Sequence, residues 1–368
     1  MRTHRWLEIW MNSLKHFSAL LLLAGSRTAE VDGISAAGAT SASRRYTAVA
    51  DAELLLNGPF CSKHWPLPPL PAGVSPALIS YATSRLIGTT PLVLAAGLNQ
   101  MPPFQHIRLE SPSLGPANCL STGKAMKLER VQSLWDKGFS MGLKLRKPLL
   151  IAECVPGGTT TAQAVLTGLG LSVADLISGS VLNPPIAIKK ELVEKGLRAA
   201  GLGLSVSSKN LLAAVGDPFQ CIAVGLLLGA RQAGQEVLLG GGSHMLAVLA
   251  LALSDLKVSL RNHFVEGVVL GTTAWLAEEG ISQSKSSLVR LLDLVGDHFG
   301  VALMGISTGL HFDNSSYKVL RDYERGYIKE GVGAGAFALL AQLYGASCED
   351  IVEACEESLE ELQRRAFL

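Results

Sequence analysis

The sequence predicts an α/β fold in three layers, a mainly parallel sheet with helices on both faces. Three observations predict it. Short apolar runs alternate with helical patterns along most of the chain, an order that joins parallel strands by crossover helices. Several runs end in glycine just before a helix opens, the form of a tight strand-to-helix turn. Of 368 residues, 48 % are hydrophobic, only 17 % are charged and 38 are glycine. That excludes a disordered chain and supplies a deep core.

The elements follow in order. Phe17 to Gly25 reads as a short buried first strand. Behind Arg2, Arg5 and Lys15 the same stretch also has the form of a secretory signal. The strand reading is preferred, because the text beyond it continues as fold. Pro66 to Pro71 is a stiff, proline-rich connector. Pro91 to Ala96 is a second strand, and Thr122 to Leu145 a long helical pattern. Leu149 to Glu153 is a strand; Thr160 to Leu169 and Ile186 to Ala200 are helical. Pro218 to Ala233 is a strong helix, with Asp217 as N-cap and Pro218 at its first position. Glu236 to Leu239 is a strand, and Ser243 opens another helix. Val301 to Met304 is expected as a late strand. Gly333 to Tyr344 and Glu349 to Arg365 are closing helices. The last carries an apolar stripe at Ile351, Val352, Cys355, Leu359 and Leu362, which suits a docked face.

Charge and cysteine narrow the function classes. With 32 basic and 31 acidic residues, no global field favours nucleic acid. The run from Met245 to Leu253 is far shorter than the roughly 20 residues a membrane span needs. The six cysteines, Cys61, Cys119, Cys154, Cys221, Cys348 and Cys355, form no C-x-x-C pair, so they read as reduced thiols. The eight histidines are scattered, and no metal site is expected. Neither a G-x-S-x-G elbow nor H-E-x-x-H is present.

Three glycine-rich turns are candidates for chemistry. In Glu153-Cys154-Val155-Pro156-Gly157-Gly158-Thr159-Thr160-Thr161 a strand enters, glycines turn and hydroxyl residues open a helix. Exposed backbone N–H groups and the helix N-terminus favour an anion, which makes this a phosphate cradle. Its plainer reading is a Thr-rich helix start. It is not a Walker A loop. Leu239-Gly240-Gly241-Gly242-Ser243-His244 repeats the pattern; its plainer reading is tight helix–sheet packing, with His244 a satisfied buried histidine. In Lys329-Glu330-Gly331-Val332-Gly333 a carboxylate precedes an Ala-rich helix. It can serve as a general base or simply as an acid favoured by the helix dipole. Gly33 to Thr40, with Arg44 and Arg45 behind, is a small polar loop. Gly73-Val74-Ser75-Pro76 is a Ser-Pro helix start.

In this order the segments resemble the nicotinate-nucleotide–dimethylbenzimidazole phosphoribosyltransferase family. The residues that carry the likeness are Gly73-Val74-Ser75, Glu153 with Gly157 to Thr161, Asp217-Pro218 through its helix to Gly240-Gly241, and Glu330 to Ala334. The likeness runs from about Gly33 to the C-terminus. It is greatest toward a cyanobacterial and archaeal branch whose activity is itself inferred by homology. There Gly33 to Thr40, Pro68 to Ser75, Cys119 to Gly123 and Leu320 to Gly335 are especially alike.

The resemblance implies transfer of phosphoribose from nicotinate mononucleotide to a benzimidazole-like azole, in assembly of the cobalamin lower ligand. It implies Glu330 as base and Gly157, Gly158, Thr159, Thr160 and Thr161 as the phosphate loop. It implies Glu153, Gly240, Gly241, Gly331 and Gly333 around the nucleotide, and Ser75 toward the acceptor. Lys189 or Lys190 would supply a phosphate cation. The implied fold is Rossmann-like with a small helical subdomain, in a cytoplasmic homodimer. Its partners are the nucleotide, as substrate, and an azole base; no further cofactor, nucleic acid or membrane enters. Residues 1–90 are expected to give the first strand and part of the helical subdomain. Residues 91–328 would form the nucleotide-binding core, and 329–368 the helices that close the site.

The chemistry is self-consistent. The pyridinium of the donor is already a good leaving group, so one base and a phosphate anchor suffice to hold the reactants in line. Two departures stand out. Gly240 occupies a position where characterised members carry an acid, and Ser178 to Ile188, with Asn183-Pro184-Pro185, diverges from the branch. Three other readings therefore remain: a transferase for another acceptor, a nucleotide-binding protein without turnover, and a dehydrogenase-like protein. The last lacks the glycine fingerprint.

Overall fold

The five inner strands of the sheet alternate their side chains between two separate cores. The computed structural model describes residues 2–13, 16–59, 64–177, 179, 181–203, 206–280 and 285–366; Lys15, Cys61 and Ser178 lie outside them. Seven parallel strands stand in the order β3-β2-β1-β4-β5-β6-β7. They are β1 (Ser18–Ala24), β2 (Leu92–Ala96), β3 (Ile107–Arg108), β4 (Leu149–Cys154), β5 (Val237–Gly240), β6 (Val268–Thr272) and β7 (Gly305–Ser307). On β1, Leu20, Leu22 and Ala24 join one core, while Ala19, Leu21 and Leu23 join the other. β4 divides in the same way, Leu149 and Ile151 against Leu150, Ala152 and Cys154. A period of two with both faces buried is what a covered parallel sheet requires.

On the first face the helices Leu128–Leu143 and Pro218–Gln232 pack at backbone contact. A Cβ at Gly225 would lie 2.2 Å from the Trp135 carbonyl, and one at Gly138 would lie 2.3 Å from that of Ile222. The helices Gly158–Gly168 and Ser243–Asp255 share this core. On the second face the N- and C-terminal segments come together. Trp6 and Trp10 join Thr47–Asn57, Ala77–Leu86, Ala334–Leu343 and the closing helix Cys348–Ala366. Ile351, Cys355 and Leu359 of that last helix are fully buried.

Three expectations need correction. The long helix starts at Leu128 rather than Thr122. The chain before it turns through Gly123, and the Ala125 and Met126 N–H groups bond instead to the carbonyls of Ala214 and Ala213. The late strand is Gly305–Ser307, not Val301 to Met304; Val301 N–H caps the preceding helix on the Gly296 carbonyl. β6 has no counterpart among the expected strands. Among the described residues no helix is long and apolar enough to cross a membrane, and Cys119, Cys154, Cys221, Cys348 and Cys355 are free thiols.

Candidate functional site

The strand order reverses between β1 and β4, where the chain leaves in opposite directions along the sheet. Such a switch point opens a crevice beyond the carboxyl ends of the strands. A cavity of about 330 Å³ lies there. Its walls are the segment after β1 (residues 33–39), the turn after β4 (153–159), residues 68–76, and residues 328–332 before the Ala334–Leu343 helix.

The β4 turn faces the cavity with Gly157, Gly158 and Thr159. Gly157 takes φ 79°, a left-handed conformation that suits glycine, and starts the Gly158–Gly168 helix. Lys189 Nζ donates to Thr159 Oγ1 at 3.0 Å and also lines the cavity. Burial pushes the Lys189 amine down to about 8; Glu279 opposes this and Lys329 adds to it. Lys190 is exposed to solvent, so the two lysines are not equivalent. The three threonines separate as well. Thr161 Oγ1 donates to Asp217 Oδ2 at 2.5 Å, and Thr160 is fully buried outside the cavity lining.

His244 stands directly behind this turn. A Cβ on Gly158 would meet its Nδ1 at 2.5 Å. Nε2 lies 3.1 Å from Asp217 Oδ2 and Nδ1 lies 3.7 Å from Glu153 Oε1. Burial alone would lower the imidazole pKa, but the two carboxylates outweigh it and hold it up to about 9. His244 is thus a buried cation at neutral pH. Asp217 is held below its ordinary value: burial works against the anion, and His244, Thr161 and Gln220 outweigh that.

Glu330 sits in a strained segment. Ile328, Lys329 and Val332 have φ of 67°, 55° and 56°, which costs about 1–3 kcal/mol each. The surroundings enforce it. Val332 N–H donates to the Glu153 carbonyl at 3.0 Å, Thr273 Oγ1 donates to the Lys329 carbonyl at 2.6 Å, and Lys329 Nζ pairs with Glu279. The Glu330 carboxylate accepts from Gly331 N–H at 3.0 Å, Thr273 N–H at 3.0 Å and Gly335 N–H at 3.2 Å. Burial nevertheless pushes it up to about 7, with those donors and the Thr272 hydroxyl working in the other direction. Glu330 thus meets the Gly335 N–H at the start of the Ala334–Leu343 helix, the contact the helix-dipole reading expects.

Gly331, Glu153 and Ser75 line the same cavity, whereas Gly240, Gly241 and Gly333 do not. A Cβ on Gly240 would lie 2.8 Å from that of Ala336. The plainer reading of the second turn, helix–sheet packing, describes this geometry.

Sequence reasoning missed Asp51 and Thr47. With Arg44 they fall at successive turns on the cavity side of the chain around the Thr47–Asn57 helix. Ser75 Oγ donates to Asp51 Oδ1 at 2.7 Å. Burial raises the Asp51 carboxyl to about 6, against hydrogen bonds from Ser75 and Cys154. Arg44 organises the loop after β1, donating to the carbonyls of Gly38 at 3.0 Å and Val31 at 3.1 Å. The available signal was Arg, Thr and Asp at helical spacing along one face of a stretch rich in Ala, Val and Leu. Away from the cavity, His311, Asp313 and Glu324 bring ligand-type atoms within 4.8 Å of one another. Glu324 there already accepts from Trp275 Nε1 at 2.7 Å and pairs with His311 at 3.1 Å.

A UPF0284 protein of Prochlorococcus marinus strain MIT 9313 is 62 % identical over 360 residues, covering 97 % of this chain and 89 % of that protein. The chain belongs to the UPF0284 family. A UPF0284 protein of Parasynechococcus marenigrum strain WH8102 is 56 % identical over 357 residues, 97 % of this chain and 90 % of its own. One from Crocosphaera subtropica is 39 % identical over 344 residues, 91 % of this chain and 90 % of its own. No family model matches the chain.

Two solved structures from Thermus thermophilus are similar in fold to this UPF0284 protein. CobT aligns with a TM-score of 0.60 at 17 % identity, over 96 % of this chain and 91 % of that one. A nicotinate-nucleotide–dimethylbenzimidazole phosphoribosyltransferase aligns with a TM-score of 0.57 at 16 % identity, over 94 % and 91 %. The resemblance read from the motifs is borne out: the sequence relatives are cyanobacterial UPF0284 proteins and the fold is that of the phosphoribosyltransferase.

Proposed function

We propose that this UPF0284 protein transfers phosphoribose from nicotinate mononucleotide to an aromatic azole. The observation that carries the reading is one cavity, at the switch point of the sheet, shared by a glycine-rich helix start with Lys189 and a half-buried carboxyl raised to about 7. Gly157, Gly158, Thr159 and Lys189 hold the donor's phosphate. The acceptor's ring nitrogen attacks the anomeric carbon and forms the new C–N bond. The bond to nicotinate breaks, and its electron pair neutralises the pyridinium. Glu330 takes the proton from the acceptor's other ring nitrogen. The same reading carries a homodimer, which light scattering would test.

Glu330 must be ionised to accept the proton, so the rate rises as pH passes about 7. Lys189 must be charged, so it falls above about 8. The test is a mass-spectrometric assay with nicotinate mononucleotide and a panel of azoles, adenine and phenols. Nicotinate release with a matching ribotide is expected, and Glu330→Gln should lower turnover by about 10²–10⁴ while the nucleotide still binds. Nucleotide bound but intact with every acceptor would leave a binding protein instead.

A further inference from the structure

The cavity holds a second buried carboxyl, Asp51, to which the transfer chemistry assigns no part. It is 5 % exposed and lines the cavity with Ser75, beside the apolar residues Leu70, Pro71, Pro76 and Val155. Its two oxygens are unequally served. Oδ1 accepts from Ser75 Oγ at 2.7 Å. Oδ2 meets the Cys154 thiol at 3.6 Å, and a thiol is a weak donor. A carboxyl in apolar surroundings with one strong hydrogen bond has acceptor capacity left over, and here it adjoins the cavity.

We infer that Asp51 selects the acceptor, so that the cavity takes an aromatic nitrogen heterocycle bearing a hydroxyl or amino donor in preference to one with a methylated or bare edge. This rests on the transferase reading for the word acceptor, but the recognition itself needs no turnover. A ligand O–H or N–H completes the coordination of Oδ2. A methyl group in the same place removes the remaining solvent and gives nothing back, which is the asymmetry that lets a polar site reject an analogue lacking its donor. The pKa of about 6 leaves Asp51 mostly ionised, and so accepting, at neutral pH.

The test is calorimetric titration of hydroxybenzimidazole, adenine, benzimidazole and dimethylbenzimidazole into the full chain with nicotinate mononucleotide present. The first two should bind about 10- to 100-fold more tightly than the last two. Asp51→Asn, which turns an amide donor toward the ligand, should bring all four within about threefold. Equal affinities in the unmodified protein, no binding of any of the four, or an unchanged preference in a folded Asp51→Asn protein would each overturn the inference. Should that variant not fold, the preference of the unmodified protein decides alone. Ribotide is measured in the same samples. Product without discrimination removes only the role of Asp51, and discrimination without product removes only the transferase reading.

Discussion

Two strand-to-helix turns stand side by side on the sheet, after β4 and after β5, and one sequence pattern builds both. Each has glycines at the strand end and a hydroxyl residue opening a helix. The first lines the cavity; the second is filled. Gly240 lies under Ala336, and a Cβ on Gly242 would lie 2.5 Å from Leu276. The difference is one of topology. β4 borders the switch point, where the chain leaves a gap, while β5 lies between β4 and β6 beneath the Ala334–Leu343 helix. A glycine-rich turn therefore opens on a cavity only where the strand order leaves room for one. Elsewhere the same glycines serve close packing.

His244, on the helix of the filled turn, backs the open one, and breaking that link has the largest expected effect on the folded state. Its folded pKa is about 9 against an ordinary 6.5. A raised pKa gives stability that is complete below the unfolded value and is lost as pH rises through the folded one. The contribution should be full below about pH 6.5, fall across the interval and vanish above about pH 9, a span worth about 3 kcal/mol. Urea unfolding at several pH values would measure the decline, and His244→Gln should flatten it. Parallel pH profiles for the two proteins would remove the buried ion pair.

The glycines sharpen the comparison at about 1–3 kcal/mol, the usual cost of overpacking. Gly240→Ala places a methyl against Ala336 and should lower stability while the surviving folded protein binds nucleotide unchanged. Gly158→Ala drives its methyl into His244 and should weaken nucleotide binding as well as folding. Thermal unfolding with and without nicotinate mononucleotide separates the two effects. Equal loss of nucleotide protection in both variants would contradict the division between the turns.

The sequence was most legible where the information is local. β1, β4, β5 and the Ile186–Ala200 helix lie close to their expected bounds, because apolar runs and caps are read within a few residues. β6 escaped because Val268 to Thr272 follows the Val258–Glu266 helix with only Gly267 between them, so its apolar run merges with the helical pattern. The late strand slipped because Val301 closes a helix and hydrogen bonding to β6 begins only at the Met304 carbonyl. The site divides in the same way. Glu330 and Gly157 announce themselves by their glycine neighbours. Asp51 does not, because one of two acids on a mostly apolar helix acquires meaning only when a residue 24 positions away, Ser75, is brought against it.

The smallest expected effects come from the threonines of the open turn, and they test whether the division runs within a single turn. Thr159 and Thr161 are two residues apart, yet Thr159 faces the cavity beside Lys189 while Thr161 supports Asp217. Thr159→Val removes a hydroxyl from the cradle and should weaken nucleotide binding about tenfold, with little change in stability. Thr161→Val leaves a buried carboxylate oxygen short of one donor and should cost about 1–2 kcal/mol of folding, with the nucleotide affinity of the folded protein retained. Calorimetric titration with nicotinate mononucleotide, set beside urea unfolding, reads both quantities for each variant. If Thr161→Val loses affinity and keeps its stability, the hydroxyl that reaches the phosphate is the one hydrogen-bonded here to Asp217. The boundary between cradle and support would then fall two residues further along the helix than the geometry places it.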